Sequence, residues 1–159
     1  MKATVYIETT IAGHLTSRLP NDPLVVGQML ATRKWWAESR QGFDVFTSQV
    51  VLDEASQGDR QAAIERLEVL KDVPLLPINR AAEELAERLI ASSALPAKAR
   101  VDAAHVAIAA LNGIEYLLTW NCRHLANATL RGRIEQVCRE QGYEPPIICT
   151  PSELDEVSP

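Results

Sequence analysis

One apolar run that ends in polar side chains constrains the fold of this chain more than any other stretch. The run covers residues 116–119, and polar groups follow it over residues 120–124. This pattern predicts a buried strand that presents polar side chains at its C-terminal end. The N-terminus repeats the pattern, because the apolar, β-branched run Ala3–Ile7 is followed at once by Glu8. In a parallel sheet, ligand sites form at this end of the strands.

Strands and helices alternate along the rest of the sequence. Further strands are predicted at residues 43–47, 74–78 and 145–150. Helices are predicted at residues 23–40, 49–56, 60–71, 80–92, 97–112 and 130–141, with shorter helical segments at 9–18 and 123–126. Because the connections are short, residues 1–159 are predicted to form one α/β domain with helices on both faces of its sheet.

Local signals mark several of these boundaries. The expected N-caps are Asp22, Ser48, Asp59 and Asn79, each directly before a predicted helix. Pro74 and Pro77 lie at the ends of the run 74–78, which predicts a short strand or one near the sheet edge.

The charge and the hydrophobicity narrow the class of protein. Sixteen basic and 21 acidic residues give a formal net charge of −5, which argues against nucleic-acid binding by a broad basic surface. This charge is compatible with a protein that binds phosphate through bound metal ions and a few arginines. No apolar run reaches membrane-spanning length, and the N-terminus is unlike a secretory signal. We therefore expect a cytoplasmic protein without membrane contact.

The positions of the cysteines and tryptophans constrain the function less than the charge does. Cys122, Cys138 and Cys149 form no Cys-x-x-Cys pair, which predicts reduced thiols and argues against a structural zinc site. Trp35 and Trp36 lie in the predicted helix 23–40. They leave two interpretations open, a well-buried helix or a surface that binds a partner.

Four polar residues lie where sites form in α/β proteins. Glu8 follows the first strand, and Glu54 lies on the short helix after the second. Asp102 lies in the first turns of an alanine-rich helix, where the helix dipole favours an anion. Asn121 comes two residues after the strand 116–119. If this strand neighbours the first one, Glu8 and Asn121 converge at one edge of the sheet.

Three carboxylates in one cleft repel one another unless a cation neutralises them. Oxygen ligands select Mg²⁺ or Mn²⁺, which can polarise a phosphate and position an attacking water. Each residue also has a simpler interpretation. Asp53 could be the functional acid instead of Glu54, Asp102 a helix-terminal charge, His105 a hydrogen-bonded helix residue and Asn121 a turn-former.

Four segments resemble, in order and with typical spacing, the motifs of PIN domains, most closely those of VapC-type toxins. They are Val5-Tyr6-Ile7-Glu8-Thr9-Thr10, Ser48-Gln49-Val50-Val51-Leu52-Asp53-Glu54, Asp102-Ala103-Ala104-His105-Val106-Ala107-Ile108-Ala109 and Leu117-Leu118-Thr119-Trp120-Asn121. The resemblance covers essentially the whole chain, and the third motif is the most specific.

The resemblance implies a three-layer α/β/α fold around a parallel sheet of about five strands. It also implies an endoribonuclease that depends on Mg²⁺ or Mn²⁺ and is the toxin of a toxin–antitoxin pair. RNA would be its substrate and an antitoxin protein its partner. A homodimer is expected separately, on condition that Trp35 and Trp36 are exposed. By match of motif, the catalytic set is Glu8, Glu54, Asp102 and Asn121, of which the first three are the metal ligands; Thr10 and Thr119 are supporting hydroxyls.

Two departures from the family pattern weaken the expected metal site. Glu8 replaces the usual Asp, and Asn121 replaces an acid, so metal affinity is expected to fall. The alternative is a PIN scaffold with little or no catalysis that binds RNA or a partner protein. A phosphotransfer enzyme on a similar sheet is poorly supported, because its aspartyl nucleophile would follow the first strand, where this chain has Glu8.

Overall fold

The computed structural model describes residues 1–155, which form four strands and seven α-helices. The strands are β1 (Ala3–Ile7), β2 (Phe43–Phe46), β3 (Tyr116–Leu118) and β4 (Ile147–Cys149). The helices are α1 (Thr9–Thr16), α2 (Pro23–Lys34), α3 (Gln49–Ala55), α4 (Arg60–Leu70), α5 (Arg80–Ala91), α6 (Arg100–Leu111) and α7 (Ala128–Glu140). A π-helical turn (Trp35–Ser39) and a 3-10 turn (Arg40–Gly42) continue α2 towards β2.

The four strands form one parallel sheet in the order β2-β1-β3-β4. Val5 of β1 is paired with Val45 on one side and with Tyr116 on the other. The strands β1 and β3 are therefore neighbours in the centre of the sheet, as the convergence of Glu8 and Asn121 requires. All carboxyl ends lie at one edge, because every pair is parallel.

Helices cover both faces of this sheet. Successive side chains of a strand point to opposite faces, and the consecutive residues Val5, Tyr6 and Ile7 are all fully buried. Leu117 and Leu118 of β3 are buried in the same way. Helix α1 contacts α2, α3 and α4, whereas α5 packs against α6 and α7. The predicted three-layer α/β/α arrangement is confirmed.

The predicted strand at 74–78 is wrong, and the sheet has four strands where about five were expected. In this segment only Leu75 pairs with the sheet, as a single parallel bridge to Thr47. Thr47 donates its N–H to the carbonyl of Pro74 over 2.9 Å, and Leu76 donates to the carbonyl of Thr47 over 2.8 Å. Pro77 has no N–H with which to continue the ladder, so pairing stops after one residue.

The outer side of β2 is consequently the edge of the sheet. A cavity of about 620 Å³ lies along it, lined in part by Trp36, Arg40 and Pro74. None of the candidate site residues lines this cavity, so the cavity is separate from the candidate active site.

The two adjacent tryptophans have different environments. Trp35 is 1% exposed and belongs to the core, whereas Trp36 is half-buried under the guanidinium of Arg40, 3.9 Å from the ring centroid. Because Trp35 is buried, it cannot contact a partner, and the interpretation of both rings as a partner-binding surface is wrong. The homodimer stays a prediction.

Two further expectations concern the thiols and the membrane. The three cysteines are free; Cys122 is exposed, and burial raises the pKa of Cys138 to about 11 and that of Cys149 to about 12. Across residues 1–155, no helix combines the length and the apolar character needed to cross a membrane.

Candidate active site

The carboxyl ends of β1 and β3 are tied together by Thr10. Glu8 follows β1 and donates its N–H to the carbonyl of Leu118 over 3.4 Å. The hydroxyl of Thr10 accepts the N–H of Trp120 over 2.9 Å and donates to the carboxylate of Glu8. Thr10 thereby positions an acid of the first strand against the loop that follows the third.

Glu8 serves as the N-cap of α1. Its Oε1 accepts the N–H of Thr10 over 2.9 Å as well as the Thr10 hydroxyl. A glutamate is longer than the usual capping residues, and its extra methylene allows the carboxylate to fold back onto the helix. No group in residues 1–155 donates to Oε2 of Glu8, so one oxygen of this nearly buried carboxylate has no protein partner.

Burial governs the protonation of Glu8. The pKa of the Glu8 carboxyl is raised to about 7, mainly by removal from water and also by the neighbouring Glu54 carboxylate. The imidazole of His105 and the hydrogen bonds from Thr10 act in the opposite direction. Two carboxylates in mutual repulsion are the environment that a bound cation relieves.

Glu54 lies close to Glu8 because α3 is anchored at its start by Ser48. The Ser48 hydroxyl accepts the N–H of Val51 over 3.4 Å as the N-cap of α3. Oε1 of Glu54 accepts the hydroxyl of Thr9 over 2.6 Å and Nε2–H of His105 over 2.8 Å. Oε2 of Glu54 accepts no hydrogen bond from residues 1–155.

The pKa of Glu54 shifts in the direction opposite to that of Glu8. Burial alone would raise the pKa of Glu54, but the hydrogen bonds from His105 and Thr9 outweigh it and hold this pKa below its usual value. The neighbouring Asp53, the other candidate acid on α3, is exposed, and within the described residues its carboxylate accepts a hydrogen bond only from Gln49, over 2.9 Å. Of these two acids, the fold brings Glu54 to the site.

Behind Glu54 lies a buried series of polar side chains. His105 places Nδ1 2.8 Å from the hydroxyl of Tyr6, which lies 2.7 Å from the hydroxyl of Ser48. Tyr6, Ser48 and His105 are fully buried. Burial raises the pKa of the Tyr6 phenol strongly, which keeps it protonated. The simpler interpretation of His105, a hydrogen-bonded helix residue, agrees with these contacts.

Asp102 is held by the loop after β3. Its Oδ1 accepts Nδ2–H of Asn121 over 2.9 Å, and Nδ1 of His124 lies 2.9 Å from its Oδ2. Oδ1 of Asn121 accepts the backbone N–H groups of Arg123 over 3.2 Å and of His124 over 3.1 Å. The hydroxyl of Thr119 accepts the N–H of Asn121 over 2.9 Å, so Thr119 supports this turn.

Asn121 is therefore a turn-former as well as a partner of Asp102. The helix expected at 123–126 is wrong, since these residues form turns and bends. The Asn121 side chain accepts N–H groups as a helix cap would, but Leu125 and Ala126 both donate to the one carbonyl of Asn121, so the turn closes on itself and does not continue as a helix. The resulting turn carries His124 back to Asp102.

The architecture has a counterpart among solved structures. No protein-family model and no curated protein matches the sequence. The structure is similar to a chain of the "Crystal structure of VapBC2 from Rickettsia felis bound to a DNA fragment from their promoter", with a TM-score of 0.59. The match covers 92% of this chain and 98% of that chain at 13% sequence identity. The chain has a PIN-like fold. At this identity the similarity establishes the fold alone.

In this PIN-like fold, α6 joins the two halves of the site. Asp102 and His105 are three residues apart on α6, which places them on one helix face. Asp102 contacts the loop after β3, whereas His105 contacts Glu54. Asp102 with Asn121 and Glu54 with His105 thus form two hydrogen-bonded groups connected by one helix, while Glu8 is held separately by Thr10.

The donor set matches a hard divalent cation only in part. Glu8 and Glu54 each keep one carboxylate oxygen without a protein donor, and oxygen ligands suit Mg²⁺ or Mn²⁺. Both oxygens of Asp102 are engaged by Asn121 and His124. Within residues 1–155, no three acidic, histidine or cysteine side chains are grouped as metal ligands.

Sequence reasoning missed several participants in the site. The motifs do not extend to His124, and Tyr6 is expected only as a strand residue. The resemblance assigns a supporting role to Thr10 and none to Thr9, although the two hydroxyls directly after Glu8 are a usable signal. Ser48 was expected only as a cap. Its link to Tyr6 joins residues 42 positions apart, which no local pattern indicates.

Proposed function

We propose that this protein is a metal-dependent endoribonuclease and the toxin of a toxin–antitoxin pair. The PIN-like fold and the similarity to the VapBC2 structure support this proposal, as do the four motifs in their predicted order. RNA is the proposed substrate, and Mg²⁺ or Mn²⁺ the proposed cofactor.

The observation that carries the proposal is the adjacent pair Glu8 and Glu54. The pKa of Glu8 is raised to about 7, whereas that of Glu54 is lowered. Two acidic groups whose environments move their pKa values apart are a characteristic of functional sites. Each also has a carboxylate oxygen that no residue in 1–155 occupies.

The chain's own residues divide the work of such a site. Glu8, Glu54 and Asp102 would hold the cation, Asp102 through the acceptor capacity that Asn121 and His124 leave on its oxygens. When bound, the ion would neutralise the carboxylates and activate water for attack on a phosphodiester. Thr10 fixes Glu8, and Thr9 and His105 fix Glu54, while Asn121 and His124 fix Asp102.

The charge of the chain is consistent with RNA binding through a cation held at the site. A net charge of −5 provides little general attraction for a polyanion. Contact with RNA through a site-bound cation does not require a broad basic surface. An antitoxin is proposed as the protein partner on the basis of the structural similarity to a VapBC2 complex.

A catalytically weak or inactive scaffold that binds RNA or a partner is the alternative function. The engagement of both Asp102 oxygens favours it, because Asn121 and His124 compete with a cation for the Asp102 carboxylate. Asn121 also has no free acceptor capacity directed at a ligand, since its Oδ1 already accepts two backbone N–H groups.

Cleavage of RNA by the purified protein tests the proposal. With Mn²⁺ the wild type should cleave, EDTA should abolish cleavage, and added Mn²⁺ should restore it. Asp102→Asn should be defective, whereas the exposed control Asp44→Asn should cleave like the wild type. Equal cleavage by Asp102→Asn and the wild type would indicate a contaminant. Absence of Mn²⁺-dependent cleavage by the wild type would favour the scaffold alternative.

The partner is tested separately. If a small reading frame adjoins the gene, its product should bind the full chain and suppress cleavage. An adjoining product that binds without suppressing cleavage would contradict the toxin–antitoxin part of the proposal.

A further inference from the structure

We propose that His105 is a positioning residue for Glu54, held in place by Tyr6 and Ser48. This inference rests on the proposed function, because it assigns Glu54 a ligand-binding oxygen. His105 directs Nε2–H at Oε1 of Glu54 and so leaves Oε2 free for a cation. His105 itself binds neither the cation nor the substrate.

The geometry places three buried polar groups in series behind one carboxylate. The hydroxyls of Ser48 and Tyr6 are 2.7 Å apart, Tyr6 and Nδ1 of His105 are 2.8 Å apart, and Nε2 of His105 is 2.8 Å from Glu54. The side chain of His105 is 1% exposed, whereas that of Glu54 is 34% exposed. The series therefore runs from the core to the accessible part of the site.

Counting donors and acceptors fixes the direction of each hydrogen bond. The Glu54 carboxylate only accepts, so Nε2 of His105 carries a proton. If His105 is neutral, Nδ1 accepts the Tyr6 hydroxyl, and Tyr6 in turn accepts the hydroxyl of Ser48. Ser48 then accepts the N–H of Val51. Every donor and every acceptor in the series has a partner.

Other proton arrangements leave a group unpaired. With a proton on Nδ1 of His105, Tyr6 would have to donate to Ser48, and the Ser48 hydroxyl would have no acceptor among the described residues. With a proton on Nδ1 alone, the Nε2 lone pair would face the Glu54 carboxylate. An unpaired polar group at this depth is costly, so the neutral Nε2–H form is the one that the geometry supports.

Simple core packing does not account for these residue types. An apolar ring and an apolar neighbour would fill the positions of Tyr6 and His105 without any polar group to satisfy. Replacing buried polar sets by apolar residues of similar volume is often neutral or stabilising. The polar series is explained if its role is to orient Glu54.

A matched pair of amide variants in the full chain tests the inference. The side-chain nitrogen of His105→Gln can replace Nε2 and donate to Glu54, whereas His105→Asn reaches only the position of Nδ1. Tyr6→Phe removes the hydroxyl that fixes the ring. Outer contacts of this kind typically change metal affinity by about 10–100-fold.

Two measurements that do not depend on activity are required. Two-bond ¹H–¹⁵N NMR of the histidine rings, without metal, should show a proton on Nε2 of His105 in the wild type. Mn²⁺ titrations followed by electron paramagnetic resonance should show affinity loss of about 10-fold or more in His105→Asn, and a much smaller loss in His105→Gln. Circular dichroism should show that both variants are folded.

The outcomes separate this inference from the proposed function. A proton on Nδ1 alone in the wild type, or equal Mn²⁺ affinities of folded His105→Gln and His105→Asn, would overturn the positioning role. If the wild type binds no Mn²⁺, both the proposed function and the role of His105 towards a cation fail. Mn²⁺ binding without RNA cleavage would refute the nuclease proposal and leave the positioning role supported by the variants.

Discussion

Asn121 donates its side-chain N–H to Oδ1 of Asp102 over 2.9 Å, so the residue in the fourth motif holds the acid of the third. An amide can make this contact because it has a donor, whereas an ionised carboxylate has none. The replacement of an acid by Asn121 thus does more than remove a charge. It converts a repulsive pair into a hydrogen-bonded one and stabilises the site without a cation.

Asn121→Asp should reverse this effect. In EDTA the variant should lose about 1–3 kcal/mol of unfolding free energy, because a hydrogen bond is replaced by two facing carboxylates. Excess Mn²⁺ should bind the variant more tightly than the wild type. It should therefore reduce the difference in unfolding free energy between the two proteins. Urea unfolding with EDTA and with Mn²⁺ measures both effects. Asn79→Asp, the same substitution at the N-cap of α5, is the control. Equal stability of Asn121→Asp and the wild type in EDTA would contradict the account.

Glu8 should make the stability of the metal-free protein fall as pH rises. Its pKa is about 7 when folded, above the unfolded value, so folding favours the neutral form. The unfolding free energy therefore decreases from about pH 4.5 to pH 7 and then levels off.

Glu8→Gln should remove this dependence. At pH 8 the variant should be more stable than the wild type by an amount on the order of 3 kcal/mol, and at pH 4 the difference should nearly vanish. Thermal and urea unfolding at both pH values in EDTA measure it. The exposed control Glu87→Gln should follow the wild type. A Glu8→Gln profile parallel to that of the wild type would contradict the prediction, because it would show that folding does not raise the pKa of Glu8.

The two neighbouring tryptophans should respond very differently to truncation. Trp35→Ala removes a core side chain and should cost about 3–5 kcal/mol of unfolding free energy. Trp36→Ala removes a ring that is only half-buried, so it should cost less than Trp35→Ala. The contact with Arg40 that it loses contributes about 0.5–1 kcal/mol. Urea unfolding of both variants compares them directly. Similar losses would mean that the difference in burial between the two rings is incorrect.

The local structure could be predicted from sequence where short-range interactions determine it. Asp22, Ser48, Asp59 and Asn79 all accept N–H groups at the helix starts where they were expected. A cap depends only on residues two or three positions away. The strands β1 and β3 were recognisable because both of their faces are buried, which gives continuous apolar runs.

Where long-range pairing decides the structure, the sequence pattern was insufficient. The run around Leu75 has the composition of a strand, but Pro74 and Pro77 limit its pairing to one bridge with Thr47. At the site, the choice between Asp53 and Glu54 depended on Thr9 and His105, which lie 45 and 51 residues from Glu54. The contact of His124 with Asp102 likewise required the turn made by Asn121.

The central claim is that Glu54, beside Glu8, belongs to a cation-dependent RNA-cleavage site, and one comparison tests it most directly. The measurement is the rate of RNA cleavage in Mn²⁺ by Glu54→Gln and by its neighbour Asp53→Asn, two variants that each remove one negative charge from α3. We expect Glu54→Gln to lose about 100-fold or more, since it removes a charge at the reacting centre. Asp53→Asn, an exposed substitution, should stay within about twofold of the wild type. Equal rates for the two variants would contradict the account.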